Sequence, residues 1–131
     1  MRVLLTPEFS RVATKHDVSD SQLCEAVERA EAGLIDASLG GPLIKQRIPR
    51  PGQGRSRGFR AAAIYRAGNR FIFVHLFPKS AKANLSSVER DIYIKFGKMA
   101  LMLSDEQLDA LVAQQRWREL SCEQNQEEVP E

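Results

Sequence analysis

The sequence predicts an α+β fold: a small antiparallel sheet of three to four strands packed against N-terminal helices, with further helices at the C-terminal end. Two stretches with helical apolar spacing come first, a middle of short alternating runs follows, and two more helical stretches close the chain. Helices and strands grouped in this way, rather than alternating one by one, build α+β architecture. A chain of 131 residues with 43% hydrophobic and 27% charged side chains suits one globular domain with one modest core.

Each element has its own signal. Arg2 to Leu5 is a short apolar run, and Thr6-Pro7 behind it supplies an N-cap and a first-turn proline for a helix ending near His16. Ser19 with Gln22 is a capping box, after which Leu23, Ala26, Val27 and Ala30 form a helical stripe that stops at Gly33. Past Gly40-Gly41-Pro42 the chain turns extended, with runs at Leu43 to Ile48, Gly58 to Arg66 and Arg70 to Phe77, the last two joined through Gly68-Asn69 as a hairpin. The N-terminal strand joins these three as a fourth, and the two early helices cover the apolar face. Ser86 with Glu89 opens a helix reaching about Leu101, and Ser104 with Gln107 opens a last one carrying Leu108, Leu111 and Val112. Residues 1–120 thus form the domain, and 121–131 read as an acidic, disordered tail.

Charge is distributed unevenly. Between Asp36 and Glu89 lie 52 residues with no carboxylate and ten Lys or Arg, so a net charge of +2 conceals a strongly basic middle. A polyanion is the natural partner, and nucleic acid is the commonest one. No run of 18 apolar residues exists and the N-terminus lacks the features of a leader, so no membrane association is expected. Cys24 lies in a helical pattern and Cys122 in a polar tail, so a disulfide between them is not expected and a reducing, cytoplasmic compartment is. No Cys/His grouping has metal-ligand spacing, and no metal or cofactor is expected.

Three segments concentrate the cations. Ile44-Lys45-Gln46-Arg47-Ile48 alternates, so as a strand it projects Lys45 and Arg47 from one face; alone, such a pair reads as a solvated surface. Residues 49–60 hold three glycines and four arginines; the glycines allow close approach to phosphate, although the Gly-Lys-Ser/Thr ending of a nucleotide-binding P-loop is missing. Arg60 differs from its loop neighbours in standing on a stiff strand. Residues 77–84 bring Lys79, Lys82 and Asn84 back to the same sheet end if the hairpin pairs as expected. His75 falls in line with Phe71, Phe73 and Phe77 and reads as a packed imidazole, and no Ser or Cys partner for a hydrolytic triad can be placed beside it or His16.

The runs Gly33-Leu34-Ile35-Asp36-Ala37-Ser38-Leu39-Gly40-Gly41, Lys45-Gln46-Arg47, Gly54-Arg55-Ser56-Arg57-Gly58-Phe59-Arg60, Phe71-Ile72-Phe73-Val74 and Phe77-x-Lys79-Ser80-x-x-x-Asn84 together resemble the RelE/ParE superfamily of toxins from toxin-antitoxin systems, and within it the HigB-like RelE branch. The likeness extends from about residue 1 to Leu120. It implies a RelE-like fold and a ribosome-dependent, metal-independent messenger-RNA endonuclease that cuts in the A site. It also implies a cognate antitoxin, typically a helix-turn-helix DNA-binding protein. By position, Lys45, Arg47, Arg60 and Lys79 match the family's catalytic cations, with Lys45 the candidate base, and Arg50, Arg55, Ser56, Arg57, Lys82 and Asn84 are assigned to RNA binding. Two departures stand out: Gly54-Arg55-Ser56-Arg57-Gly58 replaces Gly-Lys-Ser-Gly-Gly, and His75-Leu76 replaces an aromatic-glycine pair. A ParE-like gyrase inhibitor and a nonenzymatic RNA-binding module are the alternatives.

Overall fold

Four helices begin at a hydroxyl side chain that accepts a hydrogen bond from a backbone N–H of the first turn: Thr6, Ser19, Ser86 and Ser104. The last three are complete capping boxes, with Gln22, Glu89 and Gln107 bonding back to the cap. The computed structural model describes residues 1–49, 58–77 and 84–122. In chain order the elements are β1 (Arg2–Leu5), α1 (Pro7–Lys15), α2 (Asp20–Glu31), β2 (Ala37–Gly40), β3 (Leu43–Ile48), β4 (Phe59–Arg66), β5 (Arg70–Phe77), α3 (Ser87–Ala100), α4 (Asp105–Ala113) and β6 (Arg118–Leu120).

The α+β class is as the sequence predicts, but the sheet is larger and mixed. It has six strands in the order β2-β3-β4-β5-β1-β6. β1 runs parallel to β5, while β3, β4 and β5 pair antiparallel as expected. The two additional strands, β2 and β6, are four and three residues long, too short to display a period.

Both faces of the sheet are covered. On one, Phe9, Ala13, Leu23, Ala26, Val27 and Ala30 of α1 and α2 pack on Ile44, Ile48, Ala61, Ala63, Phe71 and Phe73. On the other, Ala100, Leu101 and Leu108 pack on Leu43, Ala62, Ile64, Ile72, Val74 and Phe77. α3 comes very close to β4 at Gly97, where a Cβ would lie 2.5 Å from Ile64 Cδ1.

The expected separation of the cysteines is overturned. Cys24 and Cys122 form a disulfide with Cα atoms 5.2 Å apart across 98 residues of sequence. The physical reason is β6: pairing with β1 carries the chain beside α2, where Arg118 also meets Asp20 of the α2 first turn. With both thiols paired, the cysteines no longer point to a reducing compartment. Ser121 and Cys122 belong to the described fold, and the remainder of the expected tail, 123–131, lies outside the described residues.

Candidate active site

Side chains alternate along β3, so Leu43, Lys45 and Arg47 share the face beneath α3, and Ile44, Gln46 and Ile48 point to the α1–α2 layer. Cross-strand register then sets two rows on the α3 side. Lys45 lies opposite Ala62, which lies opposite His75; Arg47 lies opposite Arg60, which lies opposite Phe77. Neighbouring strands stand about 4.8 Å apart, so Lys45 and His75 leave backbones separated by about 10 Å, with the small Ala62 between them. Three of the four predicted catalytic cations, Lys45, Arg47 and Arg60, are thereby brought together. The fourth, Lys79, lies outside the described residues, as do Arg50, Arg55, Ser56, Arg57 and Lys82. Asn84 is exposed, two residues before the Ser86 cap of α3. The described chain ends at Pro49, resumes at Gly58 and ends again at Phe77, all at the sheet end where Ile48 pairs Phe59 and Arg60 pairs Phe77.

The strand that presents Lys45 and Arg47 is held from behind. Gln46 is fully buried; its amide donates to the carbonyls of Ala26 at 3.1 Å and Leu34 at 2.9 Å and accepts from the Asp36 N–H at 3.2 Å. Asp36 accepts the Arg47 backbone N–H at 2.6 Å and an Arg29 guanidinium N–H at 3.1 Å. Burial alone would raise the Asp36 carboxyl, but the Arg47 N–H and the Arg29 charge outweigh it and hold that group below its ordinary value. Arg47 also borders a cleft of about 340 Å³ with Glu25, Arg29 and Pro49. Its Nε is the buried side-chain nitrogen without a hydrogen-bond partner among the described residues. Gly58 is required by contact rather than by ligand approach, since a Cβ there would strike the Ile48 carbonyl oxygen. A larger cleft of about 720 Å³, lined by α1 residues and by Trp117 and Arg118, contains none of the predicted site residues.

His75 is not where alternation along β5 predicts it. A bulge opposite Ala62 and Ala63 inserts one extra residue, so Phe71 and Phe73 face the α1–α2 layer while His75 and Phe77 emerge on the side of Lys45 and Arg60. The imidazole Nδ1 lies 3.2 Å from the Tyr93 hydroxyl of α3, and the ring meets Phe77 edge-on at 4.8 Å. The Phe77 ring is also 5.9 Å from Lys45 Nζ. Burial pushes His75 below its ordinary value, against the opposing charges of Glu89 and Glu8. Burial, with those same carboxylates, pushes the Tyr93 phenol up.

Not every cation of the basic middle belongs here. Arg70 is buried at the far end of the hairpin, donating to the Ala100 carbonyl at 2.9 Å and pairing with Asp105. Its role is to anchor the end of α3.

Residues 1–120 match the family described as RelE toxin of the RelE / RelB toxin-antitoxin system. The chain belongs to this family. It is the toxin member of such a pair, and its partner is a cognate antitoxin. No curated protein matches the chain. Among the described residues no helix of the toxin is long and apolar enough to cross a membrane. Sequence reasoning did not place His75 and Tyr93 beside the candidate cations. The departure at His75-Leu76 was the available signal, but the face on which it falls depends on the bulge.

Proposed function

We propose that the toxin is a messenger-RNA interferase of the HigB-like branch, entering the ribosomal A site and cutting the codon there without a metal ion, so that translation stops. The observation that carries this reading is the registered pair of rows, in which Lys45, Arg47 and Arg60 share one sheet face at one sheet end. Cleaving RNA by its own 2′-hydroxyl requires stabilising a phosphorane dianion, and cations fixed on stiff strands do this without reorganising during the reaction. The buried Arg47 Nε lacks an acceptor among the described residues, a deficit of about 1–3 kcal/mol that a bound phosphate oxygen would recover. A gyrase-inhibiting toxin has no comparable need for these three groups together.

Lys79 is proposed to attend the leaving oxygen, and Arg50, Arg55, Ser56, Arg57, Lys82 and Asn84 to hold the RNA backbone. The antitoxin is proposed to be a helix-turn-helix DNA-binding protein, and the ribosomal target sets the site of action in the cytoplasm. No cofactor is required.

The test compares induction of the wild type and Arg60→Glu in bacteria, following amino-acid incorporation and mapping transcript ends. Wild type should halt incorporation and produce codon-phased cuts; the variant should lose about 10²–10³-fold in cleavage, the scale of removing one fixed transition-state donor. A DNA-damage response with protein synthesis intact would establish the gyrase reading instead. RNA binding without cuts would establish a nonenzymatic module.

A further inference from the structure

We infer that His75 is the general base of the cleavage step, with Tyr93 as the residue that positions it. The inference rests on the proposed ribonuclease reading and adds a catalytic group from outside the set of Lys and Arg.

The first support is the bulge. Without the extra residue in β5, His75 would share the inner face with Phe71 and Phe73; with it, the imidazole stands in the same cross-strand row as Lys45, separated by Ala62. The second is orientation. The contact with the Tyr93 hydroxyl fixes Nδ1, and when Nδ1–H donates to that oxygen the neutral ring carries its lone pair on Nε2, the form a base requires. The third is the spacing of the row. In-line displacement needs proton acceptor and proton donor on opposite sides of the phosphorus, and His75 and Lys45 occupy two ends of one row, with the Arg47–Arg60 row alongside for the nonbridging oxygens.

The 2′-O–H bond breaks and its proton passes to His75 Nε2; the 2′-oxygen attacks phosphorus as the P–O5′ bond breaks. The 5′-oxygen takes a proton from the Lys45 ammonium, which regains one from water. The products are a 2′,3′-cyclic phosphate and a 5′-hydroxyl, and the imidazolium returns its proton to solvent.

Among the described residues, the charged and titratable groups on the elements packed about the ring include Lys45 from β3, Arg60 from β4, Glu89 and Tyr93 from α3, and Glu8 from α1 at longer range. Burial keeps the imidazole neutral at lower pH than usual, which suits a base.

The chain has only two histidines, so His16→Asn leaves a single imidazole whose titration can be followed by NMR. Cleavage by wild type and this variant on programmed ribosomes should rise tenfold per pH unit on the acid side and bend at the pH where His75 titrates, below 6.5. His75→Ala should lose about 10²–10⁴-fold together with the bend, and added imidazole should restore both. Tyr93→Phe should move the bend and lower kcat while leaving KM unchanged. RNA affinity and thermal melting of each variant report whether the fold and the binding face survive. A kinetic bend that does not coincide with the His75 titration overturns the assignment, and so does a His75→Ala enzyme that keeps its rate and pH profile, while the ribonuclease reading stands. A uniform loss at every pH, unrescued by imidazole, makes His75 structural and overturns it too. No cleavage by wild type at any pH removes the ribonuclease reading itself, and this inference with it.

Discussion

Gln46 sits between the two cations of β3 and faces the other way. Its side chain is what fixes that strand to α2 and to the segment before β2, through Ala26, Leu34 and Asp36. Gln46→Leu keeps size but leaves the Leu34 carbonyl and the Asp36 N–H without this partner, while the Ala26 carbonyl keeps its place in the α2 ladder, and since each unpaired buried group costs about 1–3 kcal/mol, a loss of about 2 kcal/mol is expected in chemical denaturation. Cleavage should fall as well, because the strand that presents Lys45 and Arg47 is no longer held. Gln46 was legible as an inward position from alternation alone. The partners were not, because Ala26 and Leu34 lie 20 and 12 residues away and offer only backbone carbonyls, to which residue identity gives no clue. His75 is the packed imidazole with one hydrogen bond that the sequence suggested, but the face it occupies was misread for a related reason. A period of two assigns faces only until one residue is inserted, and the bulge falls within Phe73-Val74-His75, where no glycine marks it.

Among the helices, α3 bears most directly on the candidate site because it carries Tyr93. Its height above the sheet is set by Gly97 against Ile64. Gly97→Ala gains up to about 1 kcal/mol in helix propensity, while forcing a methyl into this contact costs about 1–3 kcal/mol, so a net loss is expected. Ile64 is fully buried, in an interior that packs at close to crystal density. The double variant Gly97→Ala, Ile64→Val removes the nearest atom, Cδ1, and should recover most of the loss; a thermodynamic cycle over the four proteins measures the coupling. Capping boxes made α2, α3 and α4 readable in the sequence, because each is a local exchange between residues three apart, and Thr6-Pro7 did the same for α1. β2 and β6 were unreadable because they are strands only by virtue of β3 and β1.

On the scale of the whole molecule, the disulfide ties α2 to the end of β6 on the sheet face away from the cations. Closing a loop of 98 residues restricts the unfolded chain, an effect worth about 2–4 kcal/mol in typical proteins. Denaturation with and without reductant should show that difference, and Cys122→Ser should match the reduced wild type. Below the melting transition the cleavage rate should be the same in both forms. An equal stability in reductant would mean that the Arg118–Asp20 pair and the β1–β6 ladder suffice to hold the terminus.

The strand order also dictates a sequence of closure. Chains emerge from synthesis N-terminus first, and β3, β4 and β5 are sequential neighbours that pair through short-range contacts. β1 has its inner partner once β5 exists, but its outer amides wait for Arg118–Leu120, the last strand among the described residues. A prematurely ended polypeptide thus carries the paired strands with Lys45, Arg47 and Arg60 on one flank and a raw, adhesive border on the other. Quality control by aggregation or proteolysis would therefore act on such fragments at the border opposite the candidate site.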